Sequence, residues 1–144
     1  MTALTILDME SSLRLYTEGK GFADAVLIVE ADAHHPWVQL ISADFDSGKV
    51  DGKKLFYCMQ SLHGMLDALD MKLLCNGFRY DVYPSGMALD MGHGMMACKM
   101  VKGQPAKELV NIIDPTDDID AIVSVDEQKA FRREWLDSFR PGKE

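Results

Sequence analysis

Between Cys75 and Val101 the chain reads CNGFRYDVYPSGMALDMGHGMMACKMV, and three turn signals divide it: Asn76-Gly77, Pro84-Ser85-Gly86 and Gly92-His93-Gly94. Glycine and asparagine accept the positive φ of tight turns and proline fixes φ, so this punctuation keeps each apolar run short. The pattern predicts an antiparallel β-meander. Phe78, Tyr80 and Val82 would share one face of a strand, with Arg79, Asp81 and Tyr83 on the other. Met87, Leu89 and Met91 alternate with Ala88 and Asp90, and Met96, Cys98 and Met100 alternate with Ala97, Lys99 and Val101.

Elsewhere the signals are helical or mixed. Leu55, Met59, Leu62, Leu66 and Leu69 step by four and three, which predicts a helix over residues 53–70 with one apolar face. Gly64 inside it would mark a close approach by another backbone. Ser124 and Glu127 form a capping-box pattern ahead of Phe131, Trp135 and Phe139, which predicts a helix over 125–139 with Arg140 at its negative end and Pro141-Gly142 as its stop. Residues 23–30 and 37–43 read as strands rich in valine and isoleucine, and 44–52 as a loop. A short helix capped by Asp8 or Ser11 is expected within residues 2–20, ending near Gly19-Gly21. Residues 104–113 fit a short helix with Pro105 in its first turn, Val110 to Ile113 fit a strand equally well, and Asp114 to Asp120 reads as a solvated acidic loop.

These elements predict an α+β fold: an antiparallel meander of about four to six strands with the two main helices packed on one face. A chain of 144 residues is expected to form a single domain spanning 1–144. A net charge of −8 lacks the basic footprint of a nucleic-acid binder. No apolar run approaches the roughly 18 residues that a membrane span needs, and the N-terminus lacks a signal-peptide pattern. Cys58, Cys75 and Cys98 are odd in number and widely spaced, which argues against a disulfide framework or a thiolate zinc site and for reduced thiols in a cytoplasm.

Candidate chemistry is sparse. Met87, Met91, His93, Met95, Met96, Cys98 and Met100 are ligands that copper(I) accepts, but methionine on an alternating face is more simply a core filler. Ser85, Asp90 and His93 lie close in sequence without a nucleophile elbow. Asp44, Asp46, Gly48 and Asp51 fail the calcium-loop pattern, since Lys49 takes the glycine position and Leu55 the place of the bidentate glutamate. Neither a metal nor a cofactor is expected. The most suggestive polar group is Arg79, Asp81, Tyr83 and Asp90, with His93 at the next turn. On a covered face these residues would line a ligand pocket; on a wet face they would be a solvated Arg-Asp pair.

The segments NGFRYDVYPSGMALDMGHG and VSVDEQKAFRREWLDS resemble stretches of small bacterial proteins without an assigned activity, so the resemblance implies no site residue. The leading expectation is a cytoplasmic, non-catalytic binding protein, acting on a protein partner or as a homodimer. An inhibitor or immunity-type role toward a basic partner would suit its charge. The alternative is a small-molecule site or enzyme built on Arg79, Asp81, Tyr83, Asp90 and His93.

Overall fold

The first element of the computed structural model, which describes residues 8–31, 34–106 and 108–139, is a ten-residue strand, β1 (Asp8–Thr17). A helix was the sequence expectation here; its start, residues 2–7, lies outside the described residues. The period explains the difference. Leu13 and Leu15 are buried while Ser12 and Arg14 face outward, and only a strand separates neighbours in this way. β2 (Gly21–Glu30) pairs antiparallel with β1 from Asp8↔Glu30 to Thr17↔Gly21. Gly19 and Gly21 hold φ at +85° and +89° between the two, so these glycines close a hairpin and do not end a helix.

β3 (Trp37–Ser42) adds to β2, and its far edge receives two short strands, β4 (Phe45–Asp46) and β5 (Val50–Asp51), inside the expected loop. Ser47 fills the gap between them. Its backbone N donates to the Leu40 carbonyl at 2.9 Å, and its Oγ accepts from the Leu40 N at 2.9 Å. Helix α1 (Leu55–Ala68) follows, and β6 (Met71–Leu73) returns to the free edge of β1 with Leu15↔Leu73 in register. The large sheet therefore runs β4-β3-β2-β1-β6, with β5 beside β4 on β3. Its inner face carries Leu13, Leu15, Leu27, Val29, Val38 and Leu40, and α1 adds Leu55, Phe56, Met59, Leu62 and Leu66 to the same core. Each such side chain contributes about 1.5–3 kcal/mol when withdrawn from water.

The segment predicted to hold the meander is built differently. Asn76–Phe78 is a single 3-10 turn and not a hairpin. Its backbone N–H groups reach across the fold: Asn76 N donates to the Asp114 carbonyl and Gly77 N to the Ile112 carbonyl, each at 2.9 Å. A Cβ on Gly77 would lie 3.0 Å from both Ile112 Cβ and Ile112 O, so glycine serves a close approach here. Only Val82–Tyr83 remains of the expected second strand, as β7. Met87, Leu89 and Met91 belong to a short helix, α2 (Gly86–Gly92), whose N-cap Ser85 accepts from Ala88 N at 3.1 Å. The cap overrides the apparent alternation. β8 (Met96–Lys99) and β9 (Glu108–Asn111) complete a second antiparallel sheet in the order β7-β8-β9.

α3 (Val125–Phe139) begins with the predicted capping box: Ser124 N donates to Glu127 Oε1 at 2.9 Å, and Glu127 N to Ser124 Oγ at 3.1 Å. Its expected end at Arg140 and Pro141-Gly142 lies outside the described residues. α3 packs on α1 and β7. Gln128 is 1% exposed, and its Nε2 lies 2.8–2.9 Å from the carbonyls of Gly77, Arg79 and Val82. Trp135 donates from Nε1 to the Gln104 carbonyl at 2.9 Å. The architecture is α+β: an antiparallel, curled sheet of five to six strands with three helices.

Two glycines give opposite expectations. Gly64 is exposed, with open space where a Cβ would stand, which corrects the close approach expected for it. Gly64→Ala should stabilise the protein by about 1 kcal/mol through helix propensity. Gly77→Ala should destabilise it by about 1–3 kcal/mol through overpacking on Ile112. Urea denaturation of the two variants checks both signs.

Candidate functional site

Arg79 and Asp81 lie on either side of an exposed Tyr80, in the turn that leads into β7. They meet in a two-pronged ion pair, Arg79 Nε to Asp81 Oδ1 at 2.9 Å and Nη2 to Oδ2 at 3.0 Å, and Nη1 donates to Thr116 Oγ1 at 3.0 Å. Asp81 is 6% exposed. The hydrogen bond to Asp81 raises the Arg79 pKa above its already high ordinary value, so the guanidinium stays charged. It ties the 79–81 turn to the 116 loop.

The other three sequence candidates sit apart from this pair. The Tyr83 ring meets Phe56 edge-on at 5.0 Å and lies under the Arg132 guanidinium. Asp90 is exposed on α2. His93 ends α2 in the left-handed conformation at φ 56°, and its carbonyl accepts from Phe56 N at 2.9 Å. Its Nδ1 is buried with no hydrogen-bond partner among the described residues. The expected strand face is thus divided between a turn, a two-residue strand and a helix.

A cleft of about 550 Å³ opens instead where the ends of β1, α1 and α3 converge. Glu18, Asp67, Asp70, Asp120 and Glu127 bring five carboxylates to it against one cation, Lys72, and Tyr16, Met71 and Ile122 supply apolar wall. Backbone contacts assemble it. Glu18 N donates to the Asp70 carbonyl at 3.0 Å, joining the first hairpin to the end of α1. Asp67 Oδ2 accepts from Val125 N at 3.0 Å, fixing the start of α3 against the end of α1. Asp120 stands in the 3-10 turn Ile119–Ala121. Glu127 is held in the capping box, and the Ser124 backbone hydrogen bond lowers its pKa. Glu18, Asp70 and Asp120 make no side-chain hydrogen bond or ion pair among the described residues. Asp67 and Asp70 lie at the negative end of α1, whose last turn has no basic residue, so the helix dipole opposes them.

Behind the cleft wall lies His63, 2% exposed. Its Nε2 donates to the Val123 carbonyl at 2.6 Å, its ring stacks on Phe78 with centroids 4.1 Å apart, and Asp67 Oδ1 is 3.9 Å away. Burial pushes its pKa below the ordinary value, outweighing the opposite pull of the Val123 carbonyl and of Asp67. His63 is therefore a neutral packing group at pH 7 that reinforces the junction of α1 with the strand leading to α3.

Thiol chemistry finds little support. Burial pushes Cys58 up to about 11 and Cys75 up to about 12, so both are protonated at neutral pH. Among the described residues, no three His, Cys, Asp or Glu side chains converge at metal-ligand spacing, and no helix is long and apolar enough to cross a membrane. Sequence reasoning missed the cleft because its acids come from four separate segments. The acidic balance and the Asp114–Asp120 loop were its only traces. No protein-family model matches the chain, and no curated protein is similar to it.

The lowered His63 pKa fixes a sign. The unfolded chain takes up this proton first, near pH 6.5, so stability is complete above that pH and declines as pH falls through it toward the folded value. Unfolding free energies from urea titrations between pH 7.5 and 5 should fall by up to about 1.4 kcal/mol per pH unit from this group. His63→Gln, which keeps a donor for Val123, should flatten that slope; identical slopes would remove His63 from the account.

Proposed function

We propose that this chain is a non-catalytic binding protein that seats a basic segment of a protein partner in the acidic cleft. The observation that carries the reading is the five-to-one excess of carboxylates in this cleft of a chain with net charge −8. Lysine or arginine side chains would find an apolar wall for their stems and carboxylates for their heads. The opposing α1 dipole supports the same reading, because a cation supplied by a partner relieves it. A second copy is a poorer occupant, since two chains of charge −8 repel one another. An inhibitor or immunity-type role toward a basic protein in the cytoplasm is the setting that fits best.

The test uses the triple variant Glu18→Gln/Asp70→Asn/Asp120→Asn, which removes three unbonded carboxylates and leaves the Asp67 and Glu127 capping contacts intact. An oligolysine peptide titrated by calorimetry should bind the native protein and lose at least tenfold in affinity against the variant. The native protein's affinity should also fall as salt is raised, because exposed charges are screened. Equal affinities for both proteins would overturn the reading.

A further inference from the structure

α3 carries cations along one flank. Lys129, Arg132, Arg133 and Leu136 recur at three- and four-residue steps, which places them on one side of a helix, and with Tyr83 they line a groove of about 260 Å³. The acidic cleft lies on the other flank: Glu127 belongs to that cleft, and the buried Gln128 and Trp135 mark the core side between the two. In a chain of 23 acidic and 15 basic residues, the lining of this groove includes no carboxylate.

Among the described residues these cations also form no ion pair. The ion pairs among the described residues are His63–Asp67, Arg79–Asp81 and Lys102–Glu134, and none involves Lys129, Arg132 or Arg133. Lys129 and Arg133 are like charges one turn apart on α3, and an anion seated between them relieves their repulsion. The guanidinium of Arg132 is oriented in advance. Its Cζ lies 4.6 Å from the Tyr83 ring centroid, and Tyr83 is braced edge-on by Phe56, which is 1% exposed. Stacking on a ring leaves the guanidinium N–H groups, which point outward in its plane, free to donate.

We propose that this groove binds a small ligand through a phosphate monoester or inorganic phosphate group. Three cations suit a group that carries between one and two negative charges near neutral pH. The arginine fork matches its oxygens, and the Tyr83 ring with Leu136 offers an apolar wall to the organic part of an ester. The site is independent of the acidic cleft, and the phosphate probes below would not occupy that cleft.

The experiment is an amide NMR titration of the full chain at fixed ionic strength, with phenyl phosphate and inorganic phosphate as separate probes. Saturable shifts confined to Tyr83 and the 129–136 stretch are expected. Lys129→Gln/Arg133→Gln, which leaves the Arg132–Tyr83 stack in place, should weaken binding at least tenfold, as should Arg132→Gln. Saturation by both probes supports a site that reads phosphate alone, and saturation by the ester only supports use of the apolar wall. Shifts that never saturate, that spread over the surface lysines, or that survive both variants unchanged would overturn the proposal.

Discussion

Between Leu73 and Val82 the chain leaves one sheet and enters another, and its buried backbone groups have no regular strand neighbour on the way. An unpaired buried carbonyl or amide costs about as much as a lost hydrogen bond, so this crossing must find its partners elsewhere. It takes them from several places, three of which matter most. The 111–114 stretch accepts from Asn76 and Gly77, Ala121 accepts from Tyr80 N, and the two N–H groups of Gln128 Nε2 on α3 are shared among the carbonyls of Gly77, Arg79 and Val82. The bare Cα of Gly77 permits the first, and the position of α3 depends on the last. The Arg79–Asp81 pair is part of the same scaffold, because it holds the turn in the shape that presents its carbonyls to Gln128.

α3 is also where the fold sorts its charge. Its core-facing side carries Gln128 and Trp135, one flank joins an acidic cleft, and the other presents Lys129, Arg132 and Arg133, with Arg132 over the Tyr83 ring. Net charge alone describes an acidic protein. The three-dimensional arrangement describes two surfaces of opposite sign, brought to either side of one helix by a core that ignores charge. The carboxylates near the end of α1 are placed against the helix dipole, and the cations of α3 against one another. Neither arrangement is one that stability alone would favour.

β2, β3, α1 and the capped start of α3 are legible in the sequence because period and capping chemistry act over a few residues. The α+β class is legible for the same reason. β1 is harder: Asp8, Ser11 and two glycines imitate helix caps and stops, and the alternation of Leu13 and Leu15 with Ser12 and Arg14 is the weaker signal. Asn76-Gly77 misleads because glycine serves two purposes, positive φ and close approach, and only the position of Ile112 tells them apart. The run from Met87 to Met91 misleads because a seven-residue helix that buries none of its side chains leaves no apolar face to read. Of the candidate site residues, Arg79 and Asp81 are brought together as the sequence suggests, while the cleft draws on positions from 18 to 127 that only the fold relates.

The two-residue strands β4 and β5 have a consequence for how the molecule behaves in company. A long unpaired strand edge is a template for other chains, and β3 would offer six residues of it. Here that edge is covered in two short pieces separated by Ser47, Gly48 and Lys49, with Gly48 at φ +70° turning the backbone out of line. At the opposite edge, β6 is three residues long, and the Cys75–Pro115 bridge follows directly on its end. On the β3 side, a sheet bordered by fragments gives a neighbouring chain little to extend.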